Sequence, residues 1–310
     1  MASDEFIGVD VAMDWIDVCY LSNGRHERIK STKQSLAKFA KTANDAVVVL
    51  EASGGYERPL IEALIKAEAR FIRVNPRQAR EFARATGKLA KTDKVDAAIL
   101  ARMGKALDLV PPPIPDPDRV RLADLVARRE DLVAVIQAER NRLGTSRDGW
   151  IRREIQRLVA ILEDHLDAVE KEIARHIASS GSLLEQARRL RTAPGIGPAL
   201  VAVILARLPE LGRLKAKQIA ALAGLAPQAC DSGLSRGKRR VWGGRADIRR
   251  AIYLAGFVAS QFDPTLAAFR ARLQDSGKPP KLAITACARK LLTIINAMAR
   301  DATDYASAVP

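Results

Sequence analysis

The stretch Phe6-Ile7-Gly8-Val9-Asp10-Val11-Ala12-Met13-Asp14 is an apolar run with a carboxylate, Asp10, near its end. A second run, Ala46-Val47-Val48-Val49-Leu50-Glu51, finishes the same way on Glu51, shortly before Gly54-Gly55. Short β-branched runs of this kind are predicted buried strands. Two further acids, Asp93 and Asp96 in Lys91-Thr92-Asp93-Lys94-Val95-Asp96-Ala97, lie three apart on a helical segment and so share one helix face. A buried carboxylate without a partner is costly and tends to take a proton. Several converging on one point therefore suggest a bound cation, and hard oxygen ligands favour Mg²⁺ or Mn²⁺ over zinc. That constellation belongs to phosphodiester chemistry.

Working outward, strands are expected over residues 5–10, 15–21 and about 25–30, followed by a helix capped at Ser31 or Thr32 and running through Ala43. After the Ala46–Glu51 strand come a helix containing Leu60, Leu64 and Ile65, a strand from Phe71 to Val74 closed by Asn75-Pro76, and helices from Arg77 to about Ala85 and from Thr92 to Leu107. Antiparallel strands followed by β-α-β crossovers predict an open mixed sheet covered by helices. The order is similar to that of the ribonuclease-H-like (RuvC-like) fold, whose first strand, a later strand and a final helix carry the carboxylates.

Pro111-Pro112-Pro113-Ile114-Pro115-Asp116-Pro117 cannot be helical and reads as a linker. Two long patterns with apolar spacing of three and four follow, interrupted at Gly144–Gly149, and predict a helical hairpin or coiled coil. From about Leu183 a mainly helical region opens with Pro194-Gly195-Ile196-Gly197-Pro198, a turn that offers backbone N–H groups to a phosphate as in helix-hairpin-helix elements. The fold class is thus α/β plus all-α, with a RuvC-like metal-binding domain over 1–110, a hairpin over 118–182 and a C-terminal domain over 183–310.

Lys and Arg number 51 against 36 acids in 310 residues, a formal charge of +15 that points to a polyanionic partner. Within the C-terminal domain, Asp231-Ser232-Gly233-Leu234-Ser235-Arg236-Gly237-Lys238-Arg239-Arg240 is strongly basic. Arg236, Lys238, Arg239, Arg240 and Arg245, with Gly195, Gly197, Lys88 and Lys91, are the candidate nucleic-acid contacts. Cys19, Cys230 and Cys287 lack metal or disulfide spacing, which suggests a reducing compartment and no zinc site. No signal segment is visible and no apolar run approaches the roughly 20 residues of a membrane span, so a cytoplasmic, nucleoid-associated protein is expected without a membrane partner. His26, His165 and His176 are read as structural or surface residues, Trp15, Trp150 and Trp242 as core, and Asp14 and Asp17 as a solvated edge or a support to Asp10.

With these pieces in order, the chain resembles the bacterial transposases of insertion-sequence family one-hundred-and-ten. The resemblance rests on Gly8–Ala12, Glu51–Tyr56, Lys91–Ala97, Pro194–Pro198, Gly224–Pro227, Asp231–Gly233 and Gly243–Arg250. It implies a recombinase guided by a non-coding bridge RNA that pairs with element ends and target DNA. It implies Asp10, Glu51, Asp93 and Asp96 as catalytic Mg²⁺ ligands, and Ser232 as the nucleophile, with Ser235 the second candidate. A homo-oligomer, dimer or tetramer, would hold the DNA duplexes. The competing readings are a hydrolytic RuvC-like nuclease or junction resolvase, and an inert nucleic-acid scaffold.

Overall fold

A computed structural model describes the backbone of residues 5–87, 93–112, 116–228 and 240–305, and all of their side chains except those of 93–95, 228 and 240. The β-branched runs pair as the alternation of their side chains demands. Strands β1 (Glu5–Val11), β2 (Trp15–Tyr20) and β3 (His26–Lys30) form an antiparallel meander. Helix α1 (Lys33–Thr42) starts at Thr32, whose hydroxyl accepts from Ser35 N, and leads to β4 (Ala46–Glu51). Helix α2 (Arg58–Lys66) and strand β5 (Arg70–Val74) follow, then α3 (Pro76–Ala85) and α4 (Asp93–Ala106). The sheet order is β3-β2-β1-β4-β5, with β4 parallel to both β1 and β5.

Each face of this sheet has its own core. Ile7, Val9, Val11, Ile16, Val18, Val48 and Leu50 pack with Leu36 and Phe39 of α1 and Leu60 and Leu64 of α2. Phe6, Val47, Val49, Ile72 and Val74 pack with Ala79 of α3 and Leu100 and Met103 of α4. The second layer is the one that matters for the site.

The chain divides into two compact units, residues 1–115 and 116–310. The second begins with α5 (Pro117–Thr145) and α6 (Gly149–Ser179), an antiparallel hairpin laced by Arg121–Glu172, Arg129–Glu170 and Arg140–Glu163 pairs. Helices α7 (Gly181–Thr192), α8 (Pro198–Arg207) and α9 (Ala216–Leu222) lead into a two-stranded ribbon, β6 (Pro227–Gln228) with β7 (Arg240–Val241). Helices α10 (Ala246–Phe262), α11 (Pro264–Asp275) and α12 (Pro280–Asp301) complete it. The hairpin's open end is part of this unit's core: Leu122, Val126, Ile173 and Ile177 pack with Ile204, Ile252, Leu291 and Ile295.

Several expectations need correction. Trp15, Trp150 and Trp242 are not core residues; Trp150 and Trp242 are 64% and 61% exposed. Helix α12 is, among the described residues, one helix long and apolar enough to cross a membrane, against the reading that no such run exists. Its Ile284, Leu291, Leu292 and Ile295 are buried among the other helices of the unit. His176 is buried with Nε2 2.8 Å from the carbonyl of Asp118, a structural position.

Candidate active site

Strand register brings two of the expected carboxylates side by side. The β1–β4 pairing matches Val9 with Leu50, so Asp10 and Glu51 stand at the next step, at the C-terminal ends of adjacent parallel strands. Side chains alternate across a strand. Asp10 shares the parity of Phe6 and Gly8, and Glu51 that of Val47 and Val49, so both project to the face covered by α4.

Helix α4 brings the second acidic pair to the same end of the sheet. A Cβ on Gly8 would lie 1.9 Å from the Ala97 carbonyl oxygen and 2.5 Å from Ala101 N, so helix backbone rests directly on the strand. Further along, a Cβ on Gly104 would meet Phe6 Cδ1 at 2.5 Å and Val49 Cγ2 at 2.8 Å. The helix therefore runs against β1 with its N-terminus toward Asp10. From Gly8 to Asp10 is about 6.6 Å of strand, equal to roughly four helical residues. Counting back that far from Ala97–Ala101 reaches Asp93–Ala97, so the Asp93/Asp96 turn lies toward the Asp10 end of β1. Sequence reasoning named these acids as candidates; it did not identify the glycines that set the helix against the strand.

Of two neighbours of the site, sequence named Asp17 without its partner and did not name Glu57. Asp17 lies opposite Asp10 on β2 and is no solvated edge: it is 4% exposed and held by Arg28 through Nε–Oδ1 at 3.0 Å and Nη2–Oδ2 at 2.8 Å. The Arg28 guanidinium stacks 4.7 Å from the Trp15 ring centroid. Asp17 is thus neutralised by Arg28, a partner eleven residues away that only the β2–β3 register reveals. The second neighbour is Glu57, buried at the end of the loop that follows Glu51. It accepts from Ser53 N at 3.1 Å, Ser53 Oγ at 2.9 Å and Gly55 N at 2.8 Å, with Arg73 Nε 3.6 Å away. Burial pushes its pKa up, but hydrogen bonds from its own N–H, Gly55 and Ser53 outweigh that and hold it below the usual carboxylate range. Tyr56 in this loop is exposed.

In the second unit the expected nucleophile, Ser232, together with Ser235, Arg236, Lys238 and Arg239, lies outside the described residues, as do Lys88 and Lys91 of the first unit. Arg240 opens β7, with only its backbone described. The base of the segment is visible. Ribbon β6–β7 brings its ends together, and Gly224 packs on Gly243-Gly244 backbone to backbone. A Cβ on Gly224 would lie 2.2 Å from Gly243 O, and one on Gly244 would lie 2.3 Å from Gly224 N. Arg249 Nη1 donates to Gly243 O, and Arg245 N donates to Leu222 O.

Other expected contacts have roles within the fold. Arg245 donates to both carboxylate oxygens of Glu210, at 2.7 and 2.8 Å, and to Arg207 O at 2.7 Å, so much of its fork is engaged internally. Burial pushes the Glu210 pKa up, but the Arg245 hydrogen bonds and charge bring it net below the usual value. Gly195 adopts φ +75°, and a Cβ there would strike Ala255 O at 2.5 Å, so this glycine lets the turn pack on α10. Gly197 caps α8 without a side-chain hydrogen bond and with open space at its Cβ position.

Asp10, Glu51 and Asp96 offer the all-oxygen chemistry that Mg²⁺ or Mn²⁺ requires. Among the described residues, no three His, Cys, Asp or Glu side chains are gathered closely enough to hold a metal ion, and the Asp93 side chain lies outside that set. The donor types fit such a cation, and Asp17 is kept from the set by Arg28.

Comparison with known proteins adds to this geometry. A family model described as a transposase, for the DEDD domain of IS110 elements, matches residues 7–146. A second, described as transposase of the IS116/IS110/IS902 family, matches residues 187–271. The pilin gene-inverting proteins of Moraxella bovis and Moraxella lacunata are each 27% identical over 315 residues, covering 96% of this chain and 97% of theirs. The insertion element IS110 43.6 kDa protein of Streptomyces coelicolor is 31% identical over 158 residues, which span 49% of this chain and 39% of that one.

Proposed function

The chain belongs to the IS110 family of transposases, enzymes that act as DNA transposases or recombinases, and from that premise we propose that it cuts and rejoins the DNA of an insertion sequence through a serine nucleophile, guided by a non-coding bridge RNA. The observation that carries this reading is the placement of Asp10 and Glu51 at the ends of adjacent parallel strands, on the face against which α4 packs with its Asp93/Asp96 end toward Asp10. The mixed sheet β3-β2-β1-β4-β5 and the match to a DEDD transposase domain support the ribonuclease-H-like reading. The relatives named for gene inversion support strand exchange over simple hydrolysis.

Asp10, Glu51, Asp93 and Asp96 would hold Mg²⁺, or Mn²⁺ in its place, which when bound supplies polarisation of the scissile phosphate and stabilisation of the leaving oxygen. Ser232 is the nucleophile. A free hydroxyl is weak, and Arg236, Lys238, Arg239 and Arg240 in the same segment supply a positive field at the developing charge. Ser232 Oγ loses its proton and bonds to phosphorus as a phosphorus–sugar oxygen bond breaks; the released sugar oxygen takes up a proton. The phosphoserine ester conserves the bond, so attack by a sugar hydroxyl rejoins strands without ATP. Lys88, Lys91, Gly195, Gly197 and the outer edge of Arg245 contact nucleic-acid backbone. The far end of the hairpin exposes Trp150, Ile151, Leu158 and Ile161, which supports its use as a contact between protomers in a dimer or tetramer.

Covalent trapping tests the reading. The protein, its guide RNA and labelled DNA are incubated with Mg²⁺, denatured and resolved beside Ser232→Ala and Ser235→Ala. An adduct lost in Ser232→Ala alone is the expected result. Cleaved DNA from all three proteins with no adduct would replace it with a hydrolytic nuclease.

A further inference from the structure

The second unit contains a cavity of about 300 Å³ between the first turn of α5, α7, the turn after α8 and the last turn of α12. Four guanidinium groups line it, those of Arg119, Arg189, Arg213 and Arg300, and no carboxylate does. Its wall is fixed from behind. Buried Asn296 accepts from Gly212 N at 2.9 Å and donates to Leu214 O at 2.9 Å. Gly212, at φ +83°, comes so near α12 that a Cβ would lie 2.9 Å from Ala299 C and Arg300 N.

Arg119 forms one side of the cavity. Its Nη1 donates to Leu205 O and its Nη2 to Gln186 Oε1, each at 2.6 Å. A guanidinium carries five N–H donors, so part of the fork remains for a ligand. Burial pushes the Arg119 pKa down, Asp116 draws it up and Arg213 pushes it down again. The acids paired with Arg189 and Arg300, Glu185 at 3.7 Å and Asp301 at 2.8 Å, are not part of the lining. The Arg213 charge acts on Glu210, which is not part of the lining, and on Arg119. Arginine forks match phosphate geometry and form charge-assisted bonds with it. The volume is at the small end for ligand pockets, and no aromatic ring lines it for a base to stack on.

We propose that this cavity binds a backbone phosphate of a nucleic acid, with Arg119, Arg189, Arg213 and Arg300 as its ligands. The identity of the polymer rests on the transposase reading; the anion site rests on the cavity. The test is equilibrium binding of the full chain in EDTA, which removes metal-dependent chemistry from the measurement. Exposed Arg213→Gln, Arg300→Gln and their double variant are compared with Arg157→Gln, a charge-matched change on the hairpin. The probes are a DNA duplex and a structured RNA, each with and without inorganic phosphate as competitor.

The double variant is expected to bind DNA, RNA or both about tenfold more weakly at low salt, with the slope of log K against log salt reduced by about 1–2. The polymer whose slope falls is the ligand. Arg157→Gln is expected to change binding by less than about twofold, the loss of one exposed charge. Equal losses from pocket and control variants, or unchanged slopes on both polymers, would overturn the site. Displacement of neither polymer by phosphate, together with tight phosphate binding lost in the double variant, would reassign the pocket to a free phosphate and also overturn it. If the unaltered protein binds neither polymer, pocket and nucleic-acid partners fail together. A missing serine adduct leaves these binding results standing, so the two readings fail separately.

Discussion

Replacing Gly8 by alanine tests whether backbone contact positions the Asp93/Asp96 end of α4 against β1. The added Cβ meets Ala97 O at 1.9 Å and Ala101 N at 2.5 Å, where real Cβ contacts essentially never fall below 3.0 Å. Restoring that least separation moves α4 away from β1 by about 1.1 Å. Both obstructing atoms are backbone, so no rotamer change relieves the clash. Overpacking of this kind costs about 1–3 kcal/mol, and each kcal/mol lowers the melting temperature of a small unit by about 4–8 °C. A misplacement of about 1 Å at reacting groups can cost about 10²-fold in rate. Gly104→Ala is the control. Its Cβ meets the side chains of Phe6 and Val49, at the far end of the helix from Asp10. Thermal melts and Mg²⁺-dependent DNA cleavage below the melting range are measured for both variants. Gly8→Ala is expected to lose cleavage about a hundredfold, and Gly104→Ala far less at a comparable loss of stability. Cleavage that follows stability equally in the two variants would refute the positioning argument. A Gly8→Ala protein that melts and cleaves normally would refute the contact itself.

Glu57→Gln removes a buried carboxylate that three donors in the Ser53–Gly55 loop hold. Its folded pKa lies below the ordinary 4.5, so the stability it adds is present above that value and lost as pH falls through the folded pKa. The variant should lose about 1–3 kcal/mol at neutral pH and show a flatter decline below pH 4.5; an acid limb parallel to that of the unaltered protein would remove Glu57 from the account. Gly224→Ala sets a Cβ 2.2 Å from Gly243 O at a residue with φ +64°. On the proposed serine mechanism, the covalent adduct should fall at least tenfold while α10–α12 remain folded by circular dichroism, the scale expected of misplaced reacting groups; unchanged adduct formation would mean that this contact does not locate the segment proposed to carry the nucleophile.

Much of the first unit was legible because its strands are apolar runs that end on acids, and because Asn75-Pro76 announces a helix start: Asn75 Oδ1 accepts from Arg77 N at 2.8 Å. Helix α11 carries the same signature, with Asp263 capping Leu266 N ahead of Pro264, yet its apolar spacing is too weak to draw attention. Ribbon β6–β7 has two residues per strand, too few for any periodicity. At the candidate site, sequence named the acids but not the contacts that position their neighbours. Asp17 looks like a spare carboxylate until strand register sets Arg28 beside it. Gly195 reads in sequence as a phosphate-binding turn, and only the structure shows that its missing side chain also makes room for α10. Exposure of Trp150 and Trp242 is likewise a tertiary property that composition does not carry.

A common device seats both segments expected to carry chemistry. Gly8 presses β1 on the backbone of α4, and Gly224 presses its turn on the backbone of Gly243-Gly244. Side-chain packing tolerates exchange of one apolar group for another, because neighbouring rotamers adjust. Backbone resting on backbone leaves no such adjustment, so a separation set this way is as stiff as the strand and helix that define it. Each glycine costs about 0.5–1 kcal/mol in unfolded-chain entropy relative to alanine, a charge on stability with no return in buried area. Such a cost is sensible where reacting groups must be held to a fraction of an ångström. By that logic the Asp10 end of β1 and the base of the serine segment are the places where position, more than stability, has shaped the chain.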